Sequence, residues 1–400
     1  MAKSRGWFWL GLLVVPVALL FVGLPGLWMY MKVTARPLHP SAKEVPSVAE
    51  ATPASSAGGV ERARQAVRAH LAEQNLPGLS VAVGRGGQLV WSEGFGYADL
   101  DQKAPVTPGH RFRLGTASTV LTSAAAGLLM ERGLLKGDDE IQRYVPEFPR
   151  KQWPVTVRAL MGHMAGIRND AGDEGELYAL SCDRPVEGLR AFADSPLLFE
   201  PGTDYRFSSY GWILVSAAVE AAGGEAFLAF MRKQVFSPLG MRDTVAETPP
   251  GEAMANRVTF YFPRFAADPK YGLHLMRDLD YSCYSGASVF VTTAADLVRF
   301  GLGMESGKLL KGETVRMLQT PQRLRSGKET GYGLGWDVGS VTLAGRPARV
   351  AGHDGTMLGG MAASLLTVSE RGVVVAVLSN MSYADTSSLA VKVAEAFAAP

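Results

Sequence analysis

Residues 112–137 read FRLGTASTVLTSAAAGLLMERGLLKG, and the rest of the chain is organised around this stretch. Leu121, Ala124, Ala125, Leu128 and Leu129 recur at i, i+3, i+4, i+7 and i+8, the stripe of a helix pressed against a core. Gly133 closes the stripe. Just ahead of it, Gly115-Thr116-Ala117-Ser118-Thr119 brings small residues to a helix N-terminus, where unpaired backbone N–H groups and the helix dipole favour negative charge. The spacing predicts a buried helix whose start suits an anionic group.

On either side of this helix the patterning is mixed. Val60, Ala63, Val67 and Leu71 mark a half-exposed helix over Val60–Gln74. Leu79–Val83 and Leu89–Ser92 flank Gly84-Arg85-Gly86-Gly87, a turn that accepts positive φ, and together read as a hairpin. A helix is read from Trp212 to Ala222. The C-terminal part is strand-rich, with strands near Val338–Leu343, Arg349–Ala351, Ala362–Val368 and Val373–Leu378. A last helix, about Thr386 to Ala398, returns to the sheet beside the Val60 helix. Residues 168–198 have weak periodicity and read as a helical insert or a loop over a cleft.

The chain has 400 residues and a formal net charge of +2, ample for one large domain. Its charges are spread along the chain, which gives no nucleic-acid footprint. No cluster of Cys and His has metal-ligand spacing, and no cofactor is implied. The glycines of Gly94-Phe95-Gly96 have no following helix, which disfavours a nucleotide loop. Cys182 and Cys283 fit one disulfide or two buried thiols equally well.

The N-terminus differs from the remainder. After Lys3 and Arg5, an uncharged apolar run extends from Trp7 to Met31 and stops at Lys32, long enough to cross a hydrocarbon layer of ~30 Å. Trp28-Met29-Tyr30-Met31 offers no small-residue cleavage site, so the run reads as an uncleaved signal anchor. Pro37, Pro40, Pro46 and Pro53 then fall among Ala, Ser and Thr. The expected organisation is a membrane anchor over 1–32, a spacer over 33–59 and one domain over 60–400.

The motifs of that domain resemble the serine β-lactamase, penicillin-binding-protein and esterase family, in its class C-like branch. Phe112-Arg113-Leu114-Gly115, Gly133-Leu134-Leu135 and Asp138-Asp139-Glu140-Ile141 through Tyr144-Val145-Pro146 follow the family's nucleophile segment and the acidic stretch after it. Val155–Ile167 matches its I-T-[IV]-R-x-L-L-x-H-T-S-G-[IL], which makes His163 a scaffold histidine. Phe199-Glu200-Pro201-Gly202-Thr203 and Phe236-Ser237-Pro238-Leu239-Gly240-Met241 continue the match, and Gly352-His353-Asp354-Gly355 stands at the third motif. The resemblance covers roughly 60–400. It implies an α+β fold, an antiparallel sheet flanked by helices plus a mostly helical lobe with the cleft between them. It also implies an exported domain, periplasmic or otherwise extracytoplasmic.

The catalytic positions depart from that pattern. The family's nucleophilic Ser falls on Thr116, its Lys on Thr119, its Tyr on Phe207 and the Asn after that Tyr on Ser209. No Lys follows any Ser by three residues, so the motif has not moved elsewhere in the chain. Acyl transfer needs a nucleophile, a proton acceptor and oxyanion donors. General acid and base groups each contribute about 10²–10⁴ in rate, and members of one catalytic unit fail together. The resemblance leaves the binding parts: backbone N–H groups at Thr116 and Thr356, with His353 and Gly355 beside them, and Tyr332 and Trp336 as candidate cleft walls. Two functions fit. One is a membrane-anchored homologue that binds a peptide, a cell-wall fragment, a small acyl ligand or a partner protein without efficient catalysis. The other is a working hydrolase using Thr116 or Ser118.

Overall fold

The computed structural model describes residues 22–50, 56–169, 177–265, 267–357 and 359–398. The main sheet holds seven strands in one path: β1 (Ser47–Ala49), β2 (Gly78–Arg85), β3 (Gln88–Asp99), β4 (Asp337–Leu343), β5 (Arg346–Met357), β6 (Met361–Val368) and β7 (Val373–Ser379). Their order is β1-β3-β2-β7-β6-β5-β4, and every neighbouring pair is antiparallel. Ala104–Pro105 adds a short eighth strand beside β3.

The near-continuous apolar run of β7 shows why the sheet is covered twice. Side chains alternate across a strand, and Val374, Ala376 and Leu378 enter one core while Val373, Val375 and Val377 enter the other. Helix α1 (Leu24–Thr34) precedes the sheet, and α2 (Ala57–Glu73) covers its second face. Helices α3 (Ser118–Glu131), α4 (Ser209–Gly223) and α5 (Ala294–Glu305) follow in chain order. The first two build the helical lobe, while α5 lies on the sheet face that meets it. The closing helix α6 (Thr386–Ala398) packs beside α2, with Leu389 and Val393 joining Val60 and Val67 in one core. The hairpin of β2 and β3 and the return of the last helix are as the patterning implies.

Three regions refine the sequence reading. The strand expected near Arg349–Ala351 runs on to Met357, because Gly352–Gly355 keep pairing with Leu366–Ala363 of β6. Of residues 168–198, positions 170–176 lie outside the described residues; Pro185–Ala191 forms a 3₁₀ helix against α4. Cys182 and Cys283, left open by sequence, are joined in a disulfide.

A fourth change is a correction. Where it is described, the stretch 33–59 is not a free spacer. Ser47–Ala49 pairs with Glu93–Phe95, Val45 is buried, and buried His39 stacks on Tyr97 with ring centroids 5.6 Å apart. The His39 ring Nε2 is hydrogen-bonded to the Leu76 carbonyl at 3.2 Å. The outer edge of β3 presents unpaired N–H and C=O groups, and an extended proline-flanked segment satisfies them as a short edge strand. Three residues without an apolar run carry too little pattern to betray this. Upstream, α1 has no buried residue, and among the described residues no single helix is long and apolar enough to cross a membrane. Most of the expected span, residues 7–21, lies outside the described residues.

Candidate active site

The site begins where two backbones nearly touch. Phe112–Arg113 forms a short strand paired with Val291–Thr292, and Gly115–Ala117 then makes one 3₁₀ turn that runs directly into α3. Beside this turn passes β5. A Cβ on Gly355 would lie 2.0 Å from the Leu114 carbonyl oxygen and 2.9 Å from the Ala117 nitrogen, so only glycine lets the strand run this close. Gly355 thus sets the distance between strand and turn rather than presenting a side chain. The approach strand is held by Arg113, buried and paired with Glu247 at 2.5 Å. Its Nη1 donates to the Gly359 carbonyl at 2.8 Å, and its guanidinium lies 4.0 Å from the Phe260 ring centroid. A buried pair of this kind fixes geometry more than it adds stability.

Thr116 faces β5 and donates its hydroxyl proton to the Asp354 carbonyl oxygen at 3.3 Å. That same carbonyl accepts the His353 Nδ1–H at 2.6 Å. A carbonyl only accepts, so this contact assigns the His353 tautomer and leaves Nε2 as the acceptor. Nε2 takes the Tyr332 hydroxyl proton at 2.9 Å. Burial, with the Asp337 carboxylate adding to it, pushes the Tyr332 phenol well above its ordinary value. A loose contact with the buried Thr119 hydroxyl offsets this in part, though it falls outside ordinary hydrogen-bond geometry. Tyr332 is therefore a neutral phenol held against the His353 ring.

Phe207 closes this cluster from the helical lobe. Its ring centroid is 4.4 Å from that of His163 and 6.4 Å from that of His353, and His163 lies 4.7 Å from Tyr332. His163 has positive φ, is 2 % exposed, and accepts the Ser208 N–H at Nδ1, 3.0 Å. Burial, and secondarily the nearby His353, drives its pKa well below the usual imidazole range. That is a scaffold histidine, placed directly beneath the cleft. Tyr205 edges the same group; burial, then Asp337, pushes it up to about 12.

The residues singled out from sequence are distributed as follows. Thr116, Thr119, Phe207, His353 and Gly355 converge on the cluster just described, and Thr356 continues β5 beyond it. Ser209 opens α4 and is buried, its N–H donated to Asn169 Oδ1 at 2.9 Å. Ser118 is fully buried with an unpartnered hydroxyl, out of reach of a ligand arriving from solvent. Trp336 is core rather than wall, stacked on Phe300 at 6.0 Å. Sequence reasoning missed the Tyr332 to His353 bond and the orienting role of Asn169. It also passed over Asp354, which stands where the family motif carries Thr or Ser. Side-chain alternation along β5 turns the Asp354 carboxyl away from the cleft, and Ser364 donates to it at 2.5 Å. Desolvation of its carboxyl raises the pKa of this acid even though the residue keeps solvent-exposed surface, and the Ser364 bond opposes the rise. Among the described residues no group of acidic, His and Cys side chains forms a metal site.

A helix that starts against an inner strand of an antiparallel sheet, with a helical lobe closing over the junction, is the architecture of the β-lactamase and transpeptidase class. The beta-lactamase family model matches residues 63–398, and the chain belongs to that family. It is 28 % identical over 443 residues to the human mitochondrial serine beta-lactamase-like protein LACTB, covering 85 % of this chain and 80 % of that one. Penicillin-binding protein 4* of Bacillus subtilis is 24 % identical over 302 residues, covering 71 % and 64 % respectively. The octameric penicillin-binding protein homologue from Pyrococcus abyssi superposes with a TM-score of 0.71 at 21 % identity, over 83 % of this chain and 76 % of its own.

Proposed function

We propose that this chain is a membrane-anchored β-lactamase-family protein whose cleft binds a peptide, a cell-wall fragment or a small acyl ligand without efficient covalent turnover. The observation that carries the reading is the state of position 119. A threonine stands there in place of an amine, its buried hydroxyl beside the Tyr332 phenol, which His353 also holds. A hydroxyl nucleophile at Thr116 needs a base to take its proton. The lone pair of His353 is occupied by Tyr332, that of His163 Nδ1 by the Ser208 N–H, and Phe207 has no hydroxyl. Without the proton-handling set, comparable enzymes retain only about 10³–10⁴ over water from binding and the oxyanion donors. The backbone that would receive an oxyanion or a carboxylate, the start of α3 against β5, is kept.

Support for attachment to a membrane comes from the uncharged run Trp7–Met31 and from α1, whose large apolar side chains are exposed. The human relative is named as mitochondrial and the Bacillus relative as penicillin-binding. In this chain the domain is read as lying on the exported side. The test is equilibrium binding of a labelled D-alanyl-D-alanine peptide and of a labelled penicillin to the full chain in detergent. Saturable retention is expected, with the ligand recovered intact. Hydrolysis above the buffer rate that disappears in Thr116→Val would overturn the non-catalytic reading.

A further inference from the structure

Downstream of α1, the most exposed large apolar side chain among the described residues is Leu275, at 66 %. It ends the outer strand of a two-stranded hairpin, Tyr261–Pro263 with Leu273–Leu275, whose inner strand is tied to Asn380–Ser382 and buries Tyr261. The outer strand is left as a free edge, and an exposed leucine on such an edge is a feature in need of a partner. Around it the sequence 261–277, YFPRFAADPKYGLHLMR, is rich in Tyr, Phe, Arg and Lys with a single acid, Asp268. Tyr383, 48 % exposed, packs edge-on against Phe262 with centroids 5.7 Å apart. Rings and long cations around exposed leucines make up the composition of protein surfaces seated at the headgroup level of a membrane.

The hairpin is also where the apolar N-terminal helix meets the domain. Arg264 donates to Thr34 at the end of α1, and its guanidinium lies 5.9 Å from the Tyr30 ring centroid. On α1 itself Leu24, Leu27, Trp28, Met29, Tyr30 and Val33 are all exposed, between 47 % and 75 %. Lys32, Arg36, Lys270 and Arg277 are exposed beside these apolar groups along the same two segments. The chain leading into α1 is the uncharged run that begins at Trp7. One continuous surface therefore carries the exposed apolar helix, the exposed hairpin edge and a surplus of cations.

We infer that the Tyr261–Leu275 hairpin is a second membrane contact, seated in the headgroup layer of an anionic bilayer beside the N-terminal anchor. The inference rests on the anchor reading, and adds to it a fixed orientation of the domain on the bilayer. Residues 276–284 lead from the hairpin toward the cleft, and Met276 packs on the cluster of Tyr281 and Met361. Because a Cβ on Gly115 would meet Met361 Sδ at 2.8 Å, this cluster adjoins the turn that carries Thr116. The cleft is thereby held close to the membrane surface, suited to ligands that are themselves tethered there.

The test uses the full chain in lipid vesicles containing phosphatidylglycerol, with an environment-sensitive fluorophore on Leu275→Cys and, as a control, on Leu134→Cys, which is 51 % exposed on the helical lobe. The native cysteines are in a disulfide and do not take the label. The expected result is flotation of both variants with the vesicles, and quenching of the Leu275→Cys probe by headgroup-level spin-labelled lipid at least threefold stronger than that of the Leu134→Cys probe. Lys270→Glu with Arg277→Glu should reduce this difference. Flotation with equal quenching at the two positions refutes the hairpin contact and leaves the anchor standing. Failure of both variants to float removes the anchor reading and this inference with it.

Discussion

His163 joins a sequence motif to a stability that depends on pH. Removing its ring leaves the buried Ser208 N–H without an acceptor, a loss of about 1–3 kcal/mol before any cavity is counted. His163→Ala should therefore unfold at lower denaturant concentration. Because burial depresses its folded pKa, the unfolded chain binds the extra proton first as pH falls. The sign follows: stability is full above the unfolded value of about 6.5 and declines below it, by at most ~1.4 kcal/mol per pH unit for one such group. His39, His70 and His110, lowered mainly by burial, act in the same direction. Asp296, Glu305 and Asp354, raised by burial, act oppositely, and cancel when variant and wild type are compared. Denaturant unfolding of both between pH 7 and pH 5 should show a shallower decline in His163→Ala; equal slopes would mean that His163 is not kept neutral by the fold. At this scale Thr116, Thr119 and Phe207 could be singled out from sequence because they sit inside long ordered motifs, and the fold brings them to one cluster. The bond from Tyr332 to His353 was hidden, since it joins the loop before β4 to β5, and no local pattern sets the loop's side-chain directions.

Among the elements, the long periodic ones were legible and the short ones were not. α3 and β7 announce themselves through an apolar stripe and an apolar run, whereas β1 is three residues whose pairing is decided by the free edge of β3. The cysteine pair was undecidable from spacing, because which thiols meet depends on how residues 177–191 lie against α4. Its place gives it mechanical weight: Cys283 adjoins the Ser285–Ser288 turn, which packs on α3 and α4, and Cys182 lies in the segment leading to the Pro185 helix. The bridge closes a loop with a sequence separation of 101, for which loop entropy alone gives about 4.7 kcal/mol and measured disulfides more often about 2–4. Cys182→Ser with Cys283→Ser should lower unfolding stability by about 2–4 kcal/mol in non-reducing denaturant. An unchanged midpoint would mean that the helical lobe is held by packing alone.

For the whole molecule, the proposed function pairs an N-terminal membrane anchor with a β-lactamase-family fold lacking the family's proton-handling groups. The anchor predicts that the mature protein keeps Met1–Lys32 and leaves the membrane fraction only with detergent, as N-terminal sequencing and carbonate extraction would show; a mature N-terminus beyond Met31 would contradict it. The fold class was readable because family motifs are distributed over the full length of the domain, and the spacer was misjudged because docking of 33–49 depends on the finished sheet. The central claim is that Thr116, Thr119 and Phe207 leave a binding cleft intact while removing the chemistry. Substituting any one of them leaves the others missing, so Thr116→Ser, Thr119→Lys or Phe207→Tyr alone should change little. The three together restore a nucleophile, a base and a proton relay beside kept oxyanion donors, with burial lowering the pKa of the introduced amine. The decisive measurement is intact-protein mass spectrometry of wild type and triple variant after incubation with a fluorophosphonate and with penicillin. The account predicts an unmodified wild type and a triple variant carrying one adduct at position 116. An adduct on wild-type Thr116 or Ser118 would contradict it.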